Sequence, residues 1–226
     1  MSLDLIKLED FQNQLAFTKN FDKISCVKGP YDYFHYKCDG YNDVGYGCGY
    51  RTTQTICSWI KNQILEENFK FSSNLKVVDQ PSVLEIQKIL VECGDKPSNF
   101  IGSKDWIGCF EASIVIDYLY NVPCKILHCN PGTLKNHYQD LLNHFENFAS
   151  PVMMGGDLDN ASKGVLGIGN SIHDSFVLIA DPHYSVPKAN QTELIKNEWI
   201  AWRSINSFDN SSFYNFCLPQ KKYLSK

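Results

Sequence analysis

The sequence lacks three features that would each point at once to a common class of protein. It has no apolar run long enough to cross a membrane, no run of basic residues, and no cysteine pair at the two-residue spacing of a structural zinc site. Its formal net charge of -4 makes nucleic acid a poor candidate partner. The sequence therefore predicts no membrane insertion, no nucleic-acid partner, no metal and no cofactor.

The cysteines favour a reducing compartment. There are nine, an odd number, and their spacings form no regular disulfide framework. Residues 1–10 carry acidic side chains within their apolar run, which does not fit a secretory signal. Cys124, His128 and Cys129 lie close together, but segment 124–129 is typical of an apolar strand rather than a zinc site. We expect a cytoplasmic, monomeric protein with free thiols.

The pattern along the chain predicts helices first and strands later. Ile56, Ile60 and Ile64 form one apolar stripe of a helix over 48–67, and Ser82 is placed to cap a second helix. The remaining predicted elements are helices over 82–93, 109–120, 137–148 and 193–204, strands over 124–129, 151–154, 164–169 and 175–180, and a closing edge strand over 213–218. This order predicts an α+β fold with a mixed or antiparallel sheet, formed by one domain over 1–226 in which 1–25 is a capping or flexible segment.

Cys48 is the residue most clearly placed for chemistry. It lies between Gly47 and Gly49 at the start of the predicted helix. The positive end of a helix lowers the pKa of a thiol at that position and so favours the nucleophilic thiolate. We interpret the flanking glycines as allowing a substrate backbone to come close.

A general base for this nucleophile is found far along the chain. The apolar strand over 175–180 ends in Asp181, Pro182 and His183. Residues two apart on an extended segment face the same side, about 6.6 Å apart, so the carboxylate can hold the imidazole in one tautomer. Proline restricts the backbone between them. Together with Cys48, the pair predicts a Cys-His-Asp hydrolase with the nucleophile on a helix and the base on a sheet, which is a papain-like arrangement.

The reaction also needs donors for the oxyanion that forms on the substrate carbonyl. The backbone N–H of Cys48 is one natural donor. For the second donor, the residues ahead of the cysteine offer four candidates, and the sequence pattern does not choose among them: Tyr33, Tyr36, Tyr41 and Asn42.

Five segments of the chain resemble the ubiquitin-fold modifier-specific proteases. They occur in the order of that family and extend over most of the chain from about residue 30 onward: GYGCGYRTTQTICSW (45–59), IGSKDWIG (101–108), SPVMMGG (150–156), GVLGI (164–168) and ADPHY (180–184). Their combination is highly specific. One departure is that Tyr46 stands where the family usually has tryptophan, and because an aromatic ring remains, we expect activity to be retained.

The resemblance implies a papain-like fold and a role for each matching residue. Cys48 matches the family nucleophile, His183 the general base and acid, and Asp181 the residue that orients it. Tyr36 matches the tyrosine that completes the oxyanion hole. The family cleaves after the C-terminal glycine of the modifier, which matures its precursor and removes it from conjugated proteins. The short chain, without a large N-terminal extension, is similar to the shorter branch of the family.

A tail that ends in glycine suits a narrow groove. Gly155 and Gly156 are candidate groove residues, and the segment around Trp106, flanked by Gly102 and Gly108, is a candidate lid. A core position for Trp106 is an equally good interpretation.

Three other functional interpretations of the sequence stay open. The first is an autophagy-related cysteine protease, which also has a Gly-Cys helix start and an Asp-Pro-His box but is longer. The second is a deubiquitinase, in which the histidine precedes the acid by some distance. The third is a binding module that recognises a ubiquitin-like modifier without cleaving it.

The other histidines are given structural interpretations. His137 and His144 are expected to be solvated on their helix, and His173 to lie at the surface in a turn. His35 is adjacent to Tyr36 and is expected to support the site from behind.

Overall fold

A seven-stranded antiparallel sheet, with helices packed against it, carries the main hydrophobic core. The computed structural model describes residues 5–8, 21–69, 75, 77–158, 161–186 and 190–223. The helices are α1 (Cys48–Leu65), α2 (Val83–Glu92), α3 (Cys109–Tyr120), α4 (Tyr138–Asn147) and α5 (Gln191–Lys196). The strands are β1 (Ile6–Leu8), β2 (Lys23–Cys26), β3 (Tyr31–Tyr33), β4 (Cys124–Cys129), β5 (Val152–Gly156), β6 (Ser162–Asn170), β7 (Ser175–Ala180), β8 (Ile200–Ser204) and β9 (Tyr214–Pro219).

The strand order of the large sheet is β4-β9-β5-β6-β7-β8. β2 pairs with β6 on the same side as β5, but further along the strand, at Gly167–Asn170. β1 and β3 form a separate antiparallel pair. Helix α1 packs on β5 and β6, and α3 packs on β4 and β9. This layering places the N-terminus of α1 against the middle of the sheet.

Helix α1 is buried on nearly all sides. Ile56, Ile60 and Ile64 are buried as the apolar stripe predicts, but Arg51 and Thr53 are buried as well. The helix is enclosed because the sheet, α2, α3 and β3 all contact it. No side chain caps its N-terminus, where Gly47 is the N-cap residue.

Helix α2 begins as its sequence predicts. The Ser82 hydroxyl accepts a hydrogen bond from the backbone N–H of Glu85, and the Glu85 carboxylate accepts one from the N–H of Ser82. This reciprocal capping box satisfies two amide donors that the helix itself leaves without partners. The apolar face of α2 forms a second, smaller core with Tyr50, Ile107 and Val115.

Two predicted elements are wrong. The helix predicted over 193–204 is the short α5 followed by β8, because Glu198 adopts a left-handed φ of 57° and ends the helical path. Burial then alternates along β8, with Ile200 and Trp202 buried, and the strand pairs with β7. The predicted edge strand over 213–218 is β9, an inner strand between β4 and β5.

The expectation for residues 1–25 falls largely outside the described residues. Within that range, β1 pairs with β3 and β2 pairs with β6. Among the described residues, no helix combines the length and the apolar composition that crossing a membrane requires.

Candidate active site

Cys48 is the first residue of α1, with 6% of its surface exposed. The glycines on either side are required by the protein's own packing rather than by an approaching substrate. A Cβ on Gly47 would lie 1.9 Å from Oδ2 of Asp43, and one on Gly49 would lie 2.3 Å from the carbonyl oxygen of Ile107. Both contacts are far too short for any other residue, so the glycines let the chain pack tightly around the thiol.

Asp181 and His183 follow directly after β7. The Asp181 carboxylate oxygen Oδ1 lies 2.5 Å from Nδ1 of His183 and accepts a second hydrogen bond of 3.0 Å from the His183 backbone N–H. The Asp181 backbone N–H donates to the Trp199 carbonyl at 2.8 Å, and its carbonyl accepts from the Tyr33 hydroxyl. These bonds fix the acid from both sides, so the imidazole is held in one orientation.

The Cys48 thiol contacts the imidazole of His183 across the junction of helix and sheet. Burial raises the pKa of the Cys48 thiol. The hydrogen bond with His183, backbone hydrogen bonds from Ser162 and Gly49, and the positive charge of His183 together outweigh burial and bring the pKa below its usual value. Burial lowers the pKa of His183, whereas Asp181 and Cys48 raise it to about 9. Both shifts favour a thiolate beside an imidazolium.

Tyr36 is the candidate oxyanion donor that the structure brings to the cysteine. Its hydroxyl contacts the side chain of Cys48 and the backbone of Gly45, and its ring lies edge-on to His183 at 5.2 Å between centroids. Burial and the neighbouring Cys48 raise its pKa, so the hydroxyl stays protonated and able to donate.

The other three candidates lie elsewhere. Tyr33 donates to the Asp181 carbonyl, Tyr41 accepts a hydrogen bond from Tyr46 at 3.2 Å, and Asn42 is exposed. The hydroxyl of Tyr46 is used in that contact, and its ring is buried edge-on against Tyr50.

A cleft of about 250 Å³ opens beside Cys48. Trp106, Gly155 and Gly156, the three predicted groove residues, all line it. Trp106 is 53% exposed rather than part of the core, and its indole N–H donates to the Gly45 carbonyl at 3.0 Å. Because Gly155 and Gly156 have no side chains, they leave room in the cleft for an extended peptide.

A buried ion-pair network behind the site was missed by sequence reasoning. The Arg51 side chain is fully buried and donates to Asp43 at 2.7 Å and to both carboxylate oxygens of Asp39 at 2.7 and 2.9 Å. The Asp43 backbone carbonyl also accepts from the N–H of Gly47. The network ties the loop ahead of the cysteine to α1. Arginine is usually exposed, so the helical pattern gave no signal for it.

The structure also locates the four histidines that were given structural interpretations. His137, predicted to be solvated, is only partly exposed, with Nδ1 3.2 Å from Oδ2 of Asp140. His144 was expected to be solvated but is 2% exposed, with Nε2 2.9 Å from the Ser150 hydroxyl, because α4 turns this face towards the sheet. His35 is buried behind Tyr36, where its Nδ1 lies 3.0 Å from the Tyr36 carbonyl and 3.2 Å from that of Tyr184. His173 is exposed, as expected.

Comparison with known proteins places the chain in a family. The profile of peptidase family C78 matches residues 22–217. Ufm1-specific protease 1 of Mus musculus is 40% identical over 204 residues, which are 88% of this chain and 87% of that protein. Probable Ufm1-specific protease 1 of Drosophila melanogaster is 39% identical, over 93% of this chain and 86% of that protein.

Longer relatives match over a part of their length. Ufm1-specific protease 2 of Mus musculus is 38% identical over 88% of this chain and 41% of its own. The crystal structure of UfSP from C. elegans superposes with a TM-score of 0.78 at 30% identity, covering 98% of this chain and 38% of that one. The predicted papain-like α+β fold is thus confirmed. The chain belongs to peptidase family C78 and is a cysteine peptidase.

Proposed function

We propose that this peptidase cleaves after the C-terminal glycine of Ufm1, so that it matures the Ufm1 precursor and removes Ufm1 from conjugated proteins. The observation that carries the proposal is the contact of Cys48 with His183, itself bonded to Asp181, at the end of a glycine-lined cleft. The names of the relatives identify Ufm1 as the modifier.

In the proposed mechanism, the Cys48 thiolate attacks the carbonyl carbon of the tail glycine. The tetrahedral oxyanion accepts hydrogen bonds from the Cys48 backbone N–H and the Tyr36 hydroxyl. The His183 imidazolium gives its proton to the leaving amine, so the C–N bond breaks and a thioester remains. His183, now neutral, takes a proton from water as the water attacks the thioester, and the modifier carboxylate is released with the thiol restored.

Asp181 acts through His183 in this mechanism. Its carboxylate accepts from Nδ1, which leaves Nε2 to exchange the proton with Cys48 and with the leaving group. Its negative charge also stabilises the imidazolium that the first step requires.

The glycines in the cleft lining support the choice of a glycine-terminated tail. Gly155, Gly156 and Trp106 all line the cleft, so we assign these three residues to substrate binding. The main core includes residues from Leu8 to Leu218, which supports one catalytic domain over 1–226. All nine cysteines are free thiols, which supports a cytoplasmic location, and we propose that the protein acts there as a monomer.

The test is incubation of the purified protein with Ufm1 precursor and, separately, with ubiquitin, beside a Cys48→Ala variant. We expect cleavage of the Ufm1 precursor alone, absent in the variant, while the variant still binds the modifier. A Ufm1 probe with an electrophilic tail should label the wild-type protein at Cys48. Binding without cleavage or labelling would overturn the enzyme proposal, and cleavage of another ubiquitin-like precursor in place of Ufm1 would overturn the substrate.

A further inference from the structure

Asp157 is the only aspartate, glutamate, lysine, arginine or histidine among the described residues that line the cleft beside Cys48. It follows Gly156 at the end of β5 and is exposed to solvent. The rest of the lining consists of glycine, aromatic, aliphatic and small polar residues, such as Trp106, Ser162 and Phe213. Apart from the thiolate and imidazolium of Cys48 and His183, the one charged side chain that a substrate meets along the described cleft lining is therefore negative.

The carboxylate is held in place by neutral donors. Its Oδ1 accepts 2.7 Å and 2.8 Å hydrogen bonds from the Ser212 hydroxyl and the Phe213 backbone N–H. Backbone amides of Asp157 and Leu158 contact the same group. These bonds, that of Ser212 foremost, lower the pKa of Asp157 and keep it ionised. In the described ranges no basic side chain pairs with it, so its charge is oriented but not neutralised by the protein.

The position of Asp157 sets how far from the scissile bond a substrate residue must lie to meet it. Cys48 contacts the backbone of Ser162, which is paired with Gly155 across β6 and β5. Asp157 is two residues further along the chain. With strands about 4.8 Å apart and a rise of about 3.3 Å per residue, the path from Ser162 to Asp157 is roughly 11 Å, or about three to four residues of an extended chain.

We propose that Asp157 selects a cationic side chain in the substrate tail, two to four residues before the scissile bond. The inference rests on the proposed function, since it concerns the tail that enters the same cleft. An exposed carboxylate pairs best with a guanidinium, which can form two parallel hydrogen bonds. Such a pair adds specificity that glycine at the cleavage site alone does not supply.

The competing explanation is that Asp157 only stabilises the turn ahead of β9. Asp157→Asn separates the two explanations, because an amide oxygen still accepts from Ser212 and Phe213 while the charge is removed. Asp157→Lys goes further and reverses the charge at the cleft. Asp209→Asn is a matched control in the same turn, because Asp209 accepts from the Ser211 backbone N–H and does not line the cleft.

The experiment uses a set of Ufm1 precursors that differ in the second, third and fourth residues before the scissile bond. In the reference precursor all three residues are Gln. In each of the others, one of the three is replaced by Arg or by Glu. For the wild-type protein and Asp209→Asn, we expect one Arg precursor to be cleaved with a kcat/KM about three- to fivefold above that of the Gln form, as for an exposed ion pair. This preference should shrink as ionic strength rises. Asp157→Asn should cleave the Arg and Gln forms alike, and Asp157→Lys should prefer Glu at the same position.

Equal cleavage of all precursors by the wild-type protein, or an Arg preference that survives in Asp157→Asn, would overturn this inference while leaving the proposed function intact. Failure of the wild-type protein to cleave any precursor would overturn the proposed function and this inference with it.

Discussion

The backbone N–H of Tyr36 donates a 2.9 Å hydrogen bond to the carbonyl of Pro182. This bond joins the segment ahead of the cysteine to the turn that carries Asp181 and His183. The rings of Tyr36 and His183 meet edge-on at 5.2 Å between centroids. The proposed oxyanion donor is therefore positioned by the same turn that positions the proposed general base.

Tyr36→Phe should lower kcat by about a hundredfold, because it removes one donor to the oxyanion while it keeps the ring and the backbone bond to Pro182. Single-turnover cleavage of Ufm1 precursor measures the effect on the chemical step. Tyr41→Phe is the matched control: it removes a hydroxyl that contacts Tyr46 rather than Cys48, and activity should stay within about twofold. Full activity of Tyr36→Phe would remove Tyr36 from the mechanism.

Asp181→Asn should shift the alkaline limb of the kcat/KM profile to lower pH. Burial lowers the pKa of His183, but Asp181 and Cys48 raise it to about 9, so the imidazolium is lost as pH rises through that value. Without the carboxylate the imidazolium is less stable and loses its proton at lower pH. The rate of Cys48 alkylation by iodoacetamide, measured from pH 5 to 10, reports the thiolate. Its rise should move to higher pH in Asp181→Asn, because a less stable imidazolium favours the thiolate less.

The control for that profile is Asp174→Asn, because Asp174 lies in the β6–β7 turn and bonds to Ser204 and Asn206 rather than to a histidine. Its alkaline limb should coincide with that of the wild-type protein. If the alkaline limb of the kcat/KM profile stayed at the wild-type pH in Asp181→Asn, Asp181 would not stabilise the charged imidazole.

The local sequence indicated the nucleophile and its base but not the second oxyanion donor. Asp181 and His183 are two apart in an extended segment, and this spacing alone predicts that they meet. Tyr33, Tyr36 and Tyr41 have similar local surroundings. What separates them is the bond between Tyr36 and Pro182, residues far apart in the chain, and only the family resemblance gave that information in advance.

The differences between the sequence-based predictions and the structure have a common origin in tertiary contacts. Segment 193–204 has local features of a helix, yet its second half pairs with β7 as β8, and that pairing outweighs propensity. The sequence pattern gives no prediction for Arg51, which is buried because Asp39 and Asp43 pair with it. Periodicity identifies an apolar face, but it does not show which polar side chains find partners in the core.

Trp106→Phe should reduce kcat/KM by about three- to tenfold with little change in melting temperature. The indole N–H holds the carbonyl of Gly45, whose backbone contacts the Tyr36 hydroxyl, so losing this bond loosens the oxyanion donor and the cleft mouth together. Phe110→Leu, an exposed aromatic substitution on α3, is the control. Unchanged kinetics in Trp106→Phe would show that this bond does not contribute to catalysis.

Arg51→Met should lower the free energy of unfolding by about 3–5 kcal/mol, because it leaves the buried carboxylate of Asp43 without its cation. Arg203→Met is the matched control: Arg203 pairs with Glu198 on the surface, and such pairs contribute less than about 1 kcal/mol. Urea denaturation at pH 7 gives both values. Equal effects of the two substitutions would contradict the structural role assigned to Arg51.

Burial of His144 should make the protein less stable in mild acid. Burial lowers the pKa of His144 to about 3, and its Nδ1 has no hydrogen-bond partner among the described residues, so a charged ring is not tolerated. The unfolded chain takes up this proton below about pH 6.5 and the folded chain does not, so stability is lost as pH falls, by about 2 kcal/mol at pH 5. His144→Gln places an amide N–H near the position of Nε2, from which it can donate to Ser150, but it does not titrate. Its urea midpoint should therefore fall less between pH 7 and 5 than that of the wild-type protein. His173→Gln, at an exposed site, should follow the wild-type curve, and a fall in His144→Gln as steep as in the wild-type protein would assign the acid sensitivity to other groups.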